Sequence, residues 1–186
     1  SENIMTLPII NAPEYRLNVP STDEVIKYRP FLVKEEKLLL MAQETGSEDE
    51  IYGAIKKLIE QCCYDSVDVE KMPLFDLEYI FLQIRAKSIG EVSTVQVTCP
   101  DDEKTKVKVD IDLTKIQVHM DDKHDARIQL TDDIGVLMSY PHLGAVNMIQ
   151  AGDESKQMEN MFAMIYDCMY QIWQGEETFD AMDYSH

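Results

Sequence analysis

Glycine is scarce in this chain: there are seven in 186 residues, none in a G-x-G-x-x-G or Walker-type run. That removes the backbone cradle on which a nucleotide phosphate usually rests. No Cys-x-x-Cys pair occurs, which argues against a zinc ribbon. No apolar stretch approaches the roughly 20 residues needed to cross a bilayer. Ser1–Ile10 lack the basic region and apolar core of a secretion signal. There is no G-x-S-x-G and no cysteine in a recognisable histidine context, so the usual nucleophile arrangements are missing. Basic residues are outnumbered, 17 Lys and Arg against 35 Asp and Glu, for a net charge of −18 and a pI of about 4.4. A field of that sign repels phosphate and argues against nucleic acid or an anionic membrane as the main partner.

What is present fits a soluble domain, or one domain with a small annex: 45% of residues are hydrophobic and 28% charged. The four cysteines, Cys62, Cys63, Cys99 and Cys168, suit buried or half-buried thiols in a reducing compartment.

Residues 1–13 read as an extended arm, punctuated by Pro8 and Pro13 and carrying Leu7, Ile9 and Ile10. Tyr15, Leu17 and Val19 alternate with polar residues, Pro20–Asp23 is turn chemistry, and Val25–Tyr28 follows: an N-terminal hairpin. Three helices come next. The first covers about Lys34 to Gln43. The second opens on a capping box of Ser47 and Glu50 and shows Ile51, Ala54, Ile55, Leu58, Ile59 and Cys62 at helical spacing. The third begins at Pro73 and is apolar on two sides, which predicts a buried helix ending near Gly90.

After Gly90 the period changes to two. Val95 and Val97; Val107, Val109 and Ile111; Ile116, Val118 and Met120; and Ala126, Ile128 and Leu130 each alternate with polar residues, and Val136–Tyr140 adds a last run. Such alternation predicts an antiparallel sheet with one buried and one wet face. Leu143–Gln150 reads as a short helix. Glu154 to about Trp173 reads as a long one, with Gly175 as its stop and an acidic tail after it.

Candidate chemistry is thin. His119, Asp121, Asp122, His124 and Asp125 have metal-ligand residue types, but the cluster lacks the glycine and closing glutamate of a calcium loop and reads as a solvated turn. It motivates the only enzymatic alternative, a metal-dependent one. Asp101/Asp102 and Asp132/Asp133 are neighbours without a facing carboxylate, and hairpin turns favour Asp in any case. Lys104, Lys106 and Lys108 lack the interleaved aromatics of a nucleic-acid platform. The 11 methionines are more informative. Met158, Met161 and Met169 lie on the long helix's main stripe with Phe162, Ile165, Cys168 and Ile172, which is read as core. A second stripe, Tyr166, Tyr170 and Trp173, fits either a partner surface or a second internal layer.

Four blocks carry a family resemblance: Leu7-Pro8-Ile9-Ile10-Asn11-Ala12-Pro13-Glu14-Tyr15, Tyr28-Arg29-Pro30-Phe31-Leu32-Val33-Lys34-Glu35-Glu36-Lys37, Leu74-Phe75-Asp76-Leu77-Glu78-Tyr79, and Phe81-Leu82-Gln83-Ile84-Arg85-Ala86-Lys87-Ser88-Ile89-Gly90-Glu91. In this order they resemble the baseplate hub subunit of T-even-type contractile-tailed bacteriophages, over roughly Leu7 to Gly175. None is a catalytic motif. The resemblance implies a late protein of the central hub of the tail baseplate, made in the host cytoplasm, with other baseplate hub and tail proteins as partners. It leaves open a place in the finished virion or a transient, chaperone-like assembly role that ends before maturation. It also implies further chain beyond His186.

The expected fold is therefore α+β: an N-terminal hairpin and helical group, an antiparallel sheet of four to five short strands, and a long C-terminal helix. The expected segments are an arm over 1–13, hairpin and helices over 14–90, sheet over 91–141, and helices with an acidic tail over 142–186, in one or two compact units. The expected activity is contact-making without catalysis, cofactor, metal or small-molecule substrate, with a homo-oligomer as one option. Leu7, Ile9, Ile10, Tyr166, Tyr170 and Trp173 are the candidate partner-contact residues. Apolar side chains in an extended arm are stabilised by lying on a neighbour, and an open sheet edge can accept a partner's strand.

Overall fold

In the computed structural model, residues 12–145 and 156–180 are described. The chain divides into two compact units; among the described residues the first takes in 12–67 and 80–116, and the second 68–79, 117–145 and 156–180.

The first unit begins with antiparallel strands β1 (Tyr15–Asn18) and β2 (Val25–Tyr28), in register Tyr15 opposite Tyr28 and Asn18 opposite Val25. Their inner positions Leu17, Ile26 and Tyr28 are buried. Asp23 sits at φ 57° in the connecting turn, where the side chain of Asn18 donates to its carboxylate at 2.7 Å. Aspartate tolerates that left-handed conformation better than most residues.

Pro30 cannot extend the ladder, and the chain passes into α1 (Val33–Thr45). Gly46, at φ 67°, closes α1, and one residue later Ser47 caps α2 (Glu48–Cys62) by accepting from the Glu50 N–H. Ala54, Leu58, Ile59 and Cys62 on α2 are buried, following the helical spacing of the sequence. α3 (Leu74–Ser88), whose residues 74–79 are counted with the second unit and 80–88 with the first, buries Leu77, Ile80, Ile84 and Ala86, and only Glu78 along its length is exposed. Ser88 fastens the entry to α1, accepting from the Phe31 N–H at 2.9 Å.

β3 (Val92–Thr98) and β4 (Lys106–Asp112) form a separate two-stranded antiparallel ribbon with Val95 opposite Val109 and Val97 opposite Val107. Asp102 organises its turn, accepting from the backbone N–H of Lys104 and Thr105 and from the Thr105 hydroxyl. These bonds hold its carboxyl down at about 2, the Thr105 hydroxyl contributing most.

The second unit is built on a four-stranded antiparallel sheet in chain order: β5 (Arg127–Gln129), β6 (Ile134–Met138), β7 (Met169–Gln174) and β8 (Glu177–Asp180). A helix, α4 (Gln157–Asp167), precedes β7.

The long C-terminal helix expected from Glu154 to Trp173 is therefore not present. α4 ends at Asp167, Ser139 clamps the Cys168 carbonyl with its N–H (2.7 Å) and hydroxyl (3.0 Å), and Met169–Gln174 is a strand. Gly175, expected as a helix stop, has φ 60° in the two-residue turn between β7 and β8. A tight hairpin turn needs that positive φ. The expected single sheet of four to five strands is also replaced, by the β3–β4 ribbon and the four-stranded sheet that recruits β7 and β8. Ile116–Met120 alternates but forms no strand; a 3₁₀ turn at Leu113–Lys115 precedes it, and no described strand pairs with it. Alternation sets which face a side chain takes, while a strand also needs a neighbouring ladder for its backbone groups. Leu7, Ile9, Ile10, most of the short helix expected over Leu143–Gln150 and the end of the acidic tail lie outside the described residues.

Candidate functional site

The polar and thiol groups of the interior are occupied structurally. Glu35, 1% exposed, takes Arg29 at 3.0 Å on one oxygen and the Leu32 N–H at 2.7 Å on the other. Burial pushes this carboxyl upward, but the Arg29 guanidinium and the Leu32 N–H outweigh it, and the group lies below the ordinary glutamate range. Arg29 also donates to the Pro30 carbonyl, and its backbone N–H to the Cys62 carbonyl, so the pair ties the end of β2 to α1 and α2. Cys62 and Cys63 are driven by burial to about 11 and about 12, and burial with the Asp167 charge raises Cys168 as well. Thiols held protonated in this way are poor nucleophiles.

The His119–Asp125 segment is a loop. Asp121 accepts from the Lys123 N–H, Asp125 accepts from the Arg127 N–H, and His124 stacks on Tyr140 with centroids 5.3 Å apart. Among the described residues no group of three or more His, Cys, Asp or Glu is placed to hold a metal ion. None of their helices is long and apolar enough to cross a membrane.

The exposed apolar faces stand out instead. α4 has no buried residue, yet Met158, Met161, Phe162 and Ile165 line one side at i, i+3, i+4, i+7 spacing. Phe162 is 63% exposed. The stripe read as core is thus a surface. At Phe162 and Met158 more than half of the side-chain surface is uncovered, so much of the roughly 1.5–3 kcal/mol that full burial of such a side chain supplies is left unclaimed. The ribbon has a second such face, formed by Val97, Val107, Val109 and Ile111.

The aromatic stripe is split between elements. Tyr166 is exposed near the end of α4. Tyr170, 63% exposed, lies on β7 where the pairing with β6 shifts register, between Met169 opposite Met138 and Gln171 opposite Leu137. Trp173, beyond that shift, is 9% exposed. Its ring lies over Gly135, its directly opposite neighbour on β6, and under the Arg127 guanidinium at 4.3 Å. A Cβ at Gly135 would collide with the indole, so the glycine makes the space that the Trp fills. Trp173 therefore serves the sheet's packing, while Tyr166 and Tyr170 remain at the surface. The exposed α4 stripe could have been found in the sequence from the strand signals after it: once Met169–Gln174 is a strand, the shortened helix lacks the second half of its supposed core face.

A family model described as T4 bacteriophage base plate protein matches residues 12–186. The chain belongs to this family. No curated protein and no solved structure matches it. Membership supports a structural role in a phage tail baseplate, with other phage tail proteins as its neighbours. A baseplate protein with an uncovered α4 face and an uncovered ribbon has the kind of surface such neighbours require.

Proposed function

We propose that this baseplate protein is a non-enzymatic component of the central hub and acts in baseplate assembly through contacts with other hub and tail proteins in the host cytoplasm. The observation that carries the contact role is α4: an 11-residue helix with an apolar stripe and no buried residue, in a chain of the baseplate family. An apolar face of this kind is stabilised by a partner's surface. Tyr166, near the end of α4, and Tyr170, exposed on β7, are further contact residues of this reading, and Leu7, Ile9 and Ile10 add contacts from the expected arm. The hub assignment rests on the ordered sequence blocks between Leu7 and Glu91.

The test is co-purification of a tagged copy from infected cells. The wild type should bring down hub and tail proteins, and Phe162→Asp should lose most of them while melting at the same temperature. Unchanged co-purification by the variant would remove α4 from the contact surface. Recovery of the chain from assembly intermediates but not from purified tails would make it an assembly factor that leaves before maturation.

A further inference from the structure

The free edge of β4 carries a pattern that neither the family nor the α4 surface accounts for. Two hydrogen bonds fix which way its backbone groups point. Cys99 N–H donates to the Thr105 carbonyl at 2.8 Å just before the ladder, and Leu113 N–H to the Glu91 carbonyl at 2.8 Å just after it. In the antiparallel register of β3 and β4, residues 107, 109 and 111 therefore turn their N–H and C=O groups toward β3. Residues 106, 108, 110 and 112 turn theirs outward. No described strand pairs with that edge.

The strand reads Lys-Val-Lys-Val-Asp-Ile-Asp from Lys106 to Asp112. Its charges change sign about Val109. We infer that β4 pairs with β4 of a second copy of this chain, antiparallel and two-fold about Val109. Lys108 then stands opposite Asp110 of the partner subunit, and Lys106 opposite Asp112 of the partner subunit. Val107 meets Ile111 of the partner subunit, and Val109 meets Val109 of the partner subunit. The hydrogen-bonding parity agrees: 108 and 110 are both outward-facing and form a bonded pair. Val109 falls in the non-bonded pair, where Cα atoms approach to about 4.5 Å and side chains are closest.

Competing registers are penalised. Sliding the two-fold to residue 108 sets Lys108 against Lys108 of the partner subunit, and sliding it to residue 110 opposes the two Asp110 carboxylates. Like charges directly opposite are unfavourable. A slip by one residue sets the valine face against the charged face. Edge strands are commonly blunted by charge, but a run of one sign would repel a second copy in every register, and this sequence does not. The strands β3 and β4 together hold two lysines and two aspartates, so the docking strip is neutral in a chain of net charge −18. Asp110 also accepts from Thr94 at 2.6 Å, which holds it on the polar face. Asp112 is partly engaged with Thr114 and Lys115, so Lys108 and Asp110 are the discriminating pair.

Sedimentation equilibrium of the full chain across the micromolar range tests this. The wild type should dimerise. Lys108→Asp and Asp110→Lys should each weaken self-association by about tenfold or more, since each places two like-charged pairs across the two-fold. An equimolar mixture of the two variants should form a heterodimer, and the double swap K108D/D110K should regain the wild-type dimer. Both sites are exposed, and unchanged thermal melting of the variants is the check on folding. A monomeric wild type, a Lys108→Asp variant that dimerises like wild type, or a mixture no tighter than its components would each overturn the assignment.

Discussion

Glu35 is sealed from solvent and charged, a combination sustained by Arg29, the Leu32 N–H and the Lys34 ammonium at 3.3 Å. Removing one partner of such a pair strands the other. Glu35→Ala should therefore cost about 3–5 kcal/mol in urea unfolding. The sign of the pH effect follows from the lowered folded-state value. The stabilisation is complete above the unfolded glutamate pKa of about 4.3 and is lost as pH falls through the lower folded value. Glu35→Gln should accordingly show a shallower loss of stability in that acid window than the wild type. The thiols offer a second test at this scale. Cys62, Cys63 and Cys168 are buried and Cys99 is half-exposed. Alkylation at mildly alkaline pH should modify Cys99 first, with the other three reacting only on unfolding, as peptide mass mapping would show. At Gly135, substitution by Ala sets a methyl into the Trp173 ring and should cost about 1–3 kcal/mol.

Among elements, α2 was plain in the sequence because three local signals agree: the Ser47 cap, a six-position apolar stripe and polar residues opposite it. Local agreement of this kind needs no partner to be decoded. β7 was not plain. Tyr166, Tyr170 and Trp173 are spaced for a helix, and only the pairing of Met169–Gln174 with β6, more than thirty residues earlier at its Trp173–Gly135 contact, makes it a strand. The nearby signal was present in Gly175 and the β-forming Thr178 and Phe179, which mark a hairpin with a two-residue turn. The helical spacing assigns Met158, Met161, Phe162, Ile165, Cys168, Met169 and Ile172 to one core stripe; the first four share a face of α4, which has no buried residue, while Met169 and Ile172 belong to β7. Ser47→Ala, which removes the α2 cap, should lower stability by about 1 kcal/mol. Phe162→Asp should change it by less than about 0.5 kcal/mol, as an exposed substitution should. Chemical denaturation of both variants checks the contrast.

For the whole molecule, the charge of −18 and the uncovered apolar faces act in opposite directions. The charge opposes indiscriminate association, and the faces of α4 and the ribbon, with its neutral β4 edge, concentrate attraction at a few places. That division suits a subunit which must remain soluble until it meets the right neighbours. Whether this baseplate protein works through those surfaces can be read by cross-linking mass spectrometry on baseplates isolated from infected cells. Lys156 just before α4 and Lys104, Lys106 and Lys108 on the ribbon supply reactive amines at both surfaces. The prediction is cross-links from these lysines to other tail proteins or to a second copy of the chain. If the chain is present in the isolated baseplates and those lysines remain freely modifiable, with all intermolecular cross-links arising elsewhere, the claim is contradicted.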